Sequence, residues 1–139
     1  LQAAMRLRRP ELVATAAAIT EQLPTTGRMT RIQRRHAAAA VAAVRGDVAG
    51  ALAEFAAVNR DLVELGERYT AAAHMLDVAA LLPEEPAARA LAEAWRRLLE
   101  ELEASVDLAF LDSLPPLAAT PGPVAAAAPM QEGATATGS

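Results

Sequence analysis

Cysteine is absent from this chain, so disulfides and thiolate metal sites are excluded, and the redox compartment stays open. Lysine is absent too, since every one of the thirteen basic residues is arginine. Aromatics make up only 3% of the residues, so few side chains can anchor a core or stack on a nucleobase. No apolar run approaches the roughly 20 residues that a membrane-spanning helix needs. Methionine is missing from the first position, which is Leu1. We therefore expect a piece of a longer chain, whose true start could carry signals not seen here.

Alanine dominates instead and supplies most of the 53% hydrophobic content. It is the strongest helix former but buries little area, at roughly 25 cal/mol per Å² of apolar surface. The composition therefore implies an all-α protein whose helices approach closely and share a small set of large residues. Charge divides along the chain. Up to Gly46, eight arginines stand against Glu11 and Glu21; from Asp47 on, fifteen acids stand against five arginines. The bland expectation is a solvated helical surface, although such a split also suits stacking on a neighbour of complementary charge.

Turn signals and apolar spacing place the helices. Residues 1–9 read as the end of an earlier helix whose partner is missing. Pro10 suits the first position of a helix, with Leu12, Val13, Ala16, Ile19 and Leu23 at helical spacing and Pro24 closing it. A second helix is expected over 29–45, with Ile32, His36, Ala39, Ala40, Ala43 and Val44 inward. Gly46 then fits a left-handed C-cap, and Asp47 an N-cap. A third covers 48–65, with Val48, Leu52, Phe55, Val58, Leu62 and Leu65 in one strip, ended by Gly66. A fourth covers 68–82, burying Tyr69, Ala72, Ala73, Leu76, Ala79 and Ala80 before Pro83. Pro86 opens a fifth running to Glu103, with Ala87, Leu91, Ala94, Trp95, Leu98 and Leu102 inward, and a short sixth spans 106–114. Residues 1–114 are thus expected to form one helical-repeat domain. Residues 115–139, with five prolines, four consecutive alanines and no amphipathic pattern, are expected to be a disordered tail.

The pairing of helices repeats. Taking Gly46 as the glycine between two helices puts Ala39 and Ala51 at their contact and Phe55 at a larger apolar position, as in a tetratricopeptide repeat of about 34 residues. A second copy uses Ala73 and Ala87 at the contact and Leu91 in place of the aromatic, with Pro83, Glu84 and Glu85 as the turn. Alanine at a contact lets helices approach to about 8 Å. No hairpin buries its own stripe, so hairpins must stack into an α-solenoid.

The phrase AAVRGDVAGALAEFAAVNRDLVELGERYTAAAHMLDVAALLPEEPAARALAEAW resembles the C-terminal tetratricopeptide-like region of large bacterial signalling ATPases. These include LuxR-type (MalT-like) transcriptional regulators and class III adenylate cyclases. The resemblance runs from about Arg8 to Asp112. It implies a cytoplasmic, non-catalytic arm for protein–protein interaction, binding a protein, a peptide or neighbouring domains of its own chain, without a cofactor or metal. A solenoid of this kind presents the first helix of each hairpin on its concave face, which makes Arg31, Arg35, Tyr69 and Asp77 the expected partner-binding residues. A spacer or oligomerisation arm without a ligand is the alternative, and a small bundle contacting nucleic acid through Arg28, Arg31, Arg34 and Arg35 is a remote one.

Candidate chemistry is sparse. The tripeptide Arg45-Gly46-Asp47 matches an adhesion motif, but C-cap and N-cap roles account for all three residues. Catalysis by the paired acids at 84–85 and 100–103 needs convergent groups, whereas neighbours on a helix diverge. His36 and His74 lie on different helices, and a metal would need them to converge with a carboxylate such as Asp77. Packing is the ordinary role for such histidines. Trp95 could line a groove for a peptide, but core packing is favoured by its place beside the inward face.

Overall fold

A computed structural model describes residues 1–24 and 26–116; the expected tail falls almost wholly outside them. Among the described residues there are eight helices and no strand: α1 (Gln2–Arg6), α2 (Pro10–Glu21), α3 (Arg28–Val44), α4 (Val48–Glu64), α5 (Arg68–Leu81), α6 (Pro86–Glu93), α7 (Arg96–Glu101) and α8 (Ser105–Ser113). The all-helical expectation holds, and the bounds of the second, third, fourth and sixth expected helices lie within a residue or so of those observed.

One device ends four helices. Arg8, Gly46, Gly66 and Glu103 all take positive φ, at 54°, 100°, 81° and 52°. At Gly46, for example, its N–H donates to the Ala43 carbonyl at 3.1 Å and the Asp47 N–H to Ala42 at 3.0 Å, closing a Schellman motif. Corresponding pairs of bonds follow Met5, Val63 and Glu100. Asp47 then caps α4, its carboxylate accepting from the Gly50 N–H at 3.0 Å.

Helix α5 is the centre. It packs against α1, α4, α6, α7 and α8, and the run from His74 to Leu81 is buried on every side. A helix buried all round carries no single apolar stripe, which is why the expected inward set for this helix was too narrow. Tyr69, expected inward, is exposed. Helices α3 and α4 form the most extensively packed pair, with α2 on the outer side of α3. Ala39, Ala51 and Phe55 are all buried there, at the positions expected of close contacts.

Elsewhere the faces shift. In α2, Val13 and Ala17 turn inward while Leu12 and Ile19, like Leu23 just beyond it, stay exposed, because α2 packs chiefly on α3 and α1. In α6, Ala88 and Ala92 are buried against α5, while Ala87 is exposed and Leu91 half-buried. The expected single helix over 86–103 is two helices, parting at Trp95 (φ −96°, ψ −4°). Ala88 and Ala92 pack α6 against α5. Trp95 lies half-buried against two apolar clusters, one around Phe55 and Leu76 and one around Ile32, Val58 and Leu62. Leu102 is consequently exposed. Helix α1 also has its partners within the chain, packing on α5 and α2 rather than standing alone.

Candidate functional site

Histidines meet where α3 and α5 face each other. His36 lies nine residues after Gly27, and His74 eight after Gly66, so the turn-to-turn period places both at nearly the same height on the first helix of successive hairpins. Their rings stack with centroids 4.0 Å apart and planes 20° apart. His36 also meets Phe55 of α4, with ring centroids 5.2 Å apart and planes tilted by 58°. A ladder of three rings thus ties α4 to α3 to α5.

Both histidines are nearly inaccessible, His36 at 1% and His74 at 4% exposure. Neither nitrogen of His36, nor Nδ1 of His74, has a hydrogen-bond partner. Burial holds both imidazoles neutral. It lowers His36 to about 3, helped by the neighbouring His74, and His74 to about 4. The pair forms part of the wall of an open cavity of about 540 Å³, together with Leu1, Gln2, Ala3, Thr20 of α2, Gln33 of α3 and Thr70 of α5. Gln33 donates only a weak 3.8 Å contact to the Met29 sulfur, and the Thr20 and Thr70 hydroxyls donate to Ala16 and Glu67, leaving their lone pairs free. The polar side chains in the wall are uncharged, but Leu1 also lines it and its ammonium helps lower His36.

Beside the cavity, Asp77 is fully buried. Its Oδ1 accepts from Arg6 Nε at 2.6 Å and its Oδ2 has no partner. Burial raises its pKa despite the guanidinium, which works in the opposite sense. The Arg6 guanidinium also lies 4.3 Å over the Phe110 ring of α8. Asp77 therefore secures α1 and α8 rather than facing solvent, although the sequence marked it as a partner contact.

The other marked residues have varied surroundings. Arg35 is ion-paired with Glu54 and with Asp61, which raises its pKa chiefly through the bond to Glu54. Tyr69 donates to Asp107 Oδ2 at 2.7 Å, and that bond raises its pKa. Arg31 is exposed. Of the remaining arginines in the basic stretch, Arg28 binds Glu64 at 2.7 Å and Arg34 donates to the carbonyls of Glu21 and Leu23. The stretch is thus largely spent on internal contacts. Among the described residues no group of three or more His, Asp or Glu is arranged to hold a metal. His74 and Asp77 lie on one helix, yet the carboxylate is engaged by Arg6 and does not join the histidines.

Sequence reasoning missed Gln2, Thr20, Gln33 and Thr70. The available signal was the matching place of the two histidines after successive turns, which puts them side by side wherever first helices are neighbours. No helix among the described residues is long and apolar enough to cross a membrane. Comparison with family models, with curated proteins and with solved structures gave no match.

Proposed function

We propose that the chain is a non-catalytic helical scaffold for protein–protein interaction, tetratricopeptide-like in its hairpins, serving as the C-terminal regulatory arm of a larger bacterial signalling or transcription-regulating protein. One observation carries the scaffold reading. The first helices of both hairpins, α3 and α5, line one open cavity together with α1 and α2. A concave recess with a few polar groups between neighbouring helices is the ordinary form of a binding site. The repeated Schellman turns and the alanine contacts at Ala39 and Ala51 support the hairpin reading. Helix α1 departs from an open stack, for it folds back onto α5 and narrows the face that a solenoid leaves open.

The test is selection of linear peptides from a display library against the whole chain, followed by retesting on a Gln33→Arg/Thr70→Arg variant of unchanged helicity. Binding that drops by about tenfold or more supports the scaffold reading, corresponding to about 1.4 kcal/mol. Peptides that bind both proteins equally would remove the cavity from it.

A second reading is favoured by a different feature. Leu52, Ala53, Ala56, Ala87, Ala90, Leu91 and Ala94 line a nearly uncharged groove of about 480 Å³ between α4 and α6. Such a seam suits an oligomerisation arm with no ligand of its own. A concentration-dependent mass in sedimentation, abolished by Ala90→Glu, would support it.

A further inference from the structure

We infer that the exposed seam of α2 docks an amphipathic helix of a partner protein, one that carries acidic residues beside its apolar stripe. This rests on the scaffold reading, and it names the class of partner and the surface that receives it.

Leu12, Ala16 and Ile19 of α2, with Leu23 in the turn that follows, succeed one another at steps of four, three and four residues. Such steps make a heptad seam, which runs along one side of a helix and accepts the side chains of a second helix. An extended peptide, with its period of two, does not match it. Val13 and Ala17 take the contacts with the core, while Leu12, Ile19 and Leu23 remain 40%, 59% and 47% exposed. Among the described residues nothing covers the seam. Its length is roughly 16 Å, or three helical turns.

Charge selects the partner. Arg8 stands just before the seam and is exposed. At the other end the Arg34 guanidinium donates to the carbonyls of Glu21 and Leu23. Neither arginine has an acidic partner among the described residues. Thr15, Thr20 and Gln22, which flank the seam, are uncharged. The two acids of α2 are occupied or turned away, for Glu11 is held by Arg9 and Glu21 lines a separate groove with Arg45. A cation at each end and no acid along the side complement a helix with glutamate or aspartate beside its stripe. The seam does not complement itself. An antiparallel second copy would set Arg8 against Arg34, and a parallel one would set Arg8 against Arg8.

Position favours the same partner. Thr20 lies one turn from Ala16 and from Leu23, and it also lines the recess shared by α2, α3 and α5. A helix on the seam therefore borders that recess, which joins the two surfaces into one side of the molecule.

The test measures binding of three capped, fluorescent helices, each of three heptads, to the whole chain by anisotropy. The first has leucine at every a and d position and glutamate at e and g. The second exchanges glutamate for lysine, and the third keeps glutamate but has alanine at a and d. Like charges at e and g keep each helix from pairing with itself at neutral pH. Saturable binding of the first, about tenfold or more tighter than of the other two, is the expected result. Ile19→Gln and Leu12→Gln, both at exposed sites, each weaken it by about tenfold with unchanged circular dichroism. Arg8→Gln weakens it by about threefold, and Ala90→Glu in the α4–α6 groove leaves it as it was. Equal binding of the lysine helix, or indifference to both glutamine variants, would overturn the inference. A concentration-dependent mass abolished by Ile19→Gln would also overturn it, by assigning the seam to a second copy. Library peptides that bind and are lost on Gln33→Arg/Thr70→Arg, with no helix bound, would sink the seam and leave the scaffold. The first helix bound as expected, with no effect of that double change, upholds the seam and removes the cavity from the scaffold reading. A chain that takes neither helix nor library peptide sinks both.

Discussion

Arg6 reaches across from α1 to the fully buried carboxylate of Asp77, donating at 2.6 Å, and is the only hydrogen-bond donor that this carboxylate has among the described residues. Removing the guanidinium leaves a buried charge without compensation, whereas removing the charge leaves a partly exposed cation that water can solvate. Arg6→Ala is therefore expected to cost about 2–3 kcal/mol and Asp77→Asn distinctly less. Urea denaturation of the two variants measures the difference. Equal costs would mean that the pair contributes through packing alone.

Acid should destabilise the fold through the histidines. Their folded values of about 3 and 4 lie below the ordinary 6.5, so the unfolded chain binds protons first. Stability is complete above about pH 6.5 and falls as the pH drops toward 4, with a slope of about 1.4 kcal/mol per pH unit for each histidine. Asp77, raised by burial, acts in the opposite sense and relieves part of the loss at the acid end. Urea midpoints at a series of pH values give the slope. Replacing His74 by Phe should reduce it by about half, and an unchanged slope would exclude His74 as its source.

The left-handed turns predict opposite responses at matched sites. Gly46→Ala should lose about 1 kcal/mol, because a Cβ is strained at φ 100°, although open space surrounds it. Glu103→Gly should gain a comparable amount by relieving φ 52°. Thermal melts of both variants check the pair, and a loss at Glu103→Gly would show that its side chain holds the turn.

Helix α2 offers a test of which face is inside. Val13→Ala removes two buried methyl groups and should cost about 1.5–2 kcal/mol. Ile19→Gln, at 59% exposure, should change stability by no more than about 0.5 kcal/mol. A large loss at Ile19 would mean that the exposed stripe is covered in solution, as self-association would do, and sedimentation would then show it.

Much of the helical frame was readable because its signals are local. Pro10 and Pro86 occupy first turns, Gly46 and Gly66 end helices, and the α4 strip keeps its period from Ala51 to Leu62. The failures have a common cause. Apolar spacing in α2 and α6 is compatible with two adjacent faces, since alanines occur on several sides and bury equally well on any of them. Only the neighbours choose: α3 selects Val13 and Ala17, and α5 selects Ala88 and Ala92.

The candidate site divides in the same way. By itself the amino-acid sequence determined an all-helical chain, the positions of its turns, and two histidines at equivalent places after Gly27 and Gly66. Each of these depends on backbone preferences that act within a few residues. Tertiary structure decided that the two rings stack at 4.0 Å, that Asp77 is claimed by Arg6 instead of joining them, and that α1 closes over α5. These are contacts between residues distant in the chain, and their geometry follows from how closely alanine faces let whole helices approach, a property of the packed assembly that no local spacing encodes.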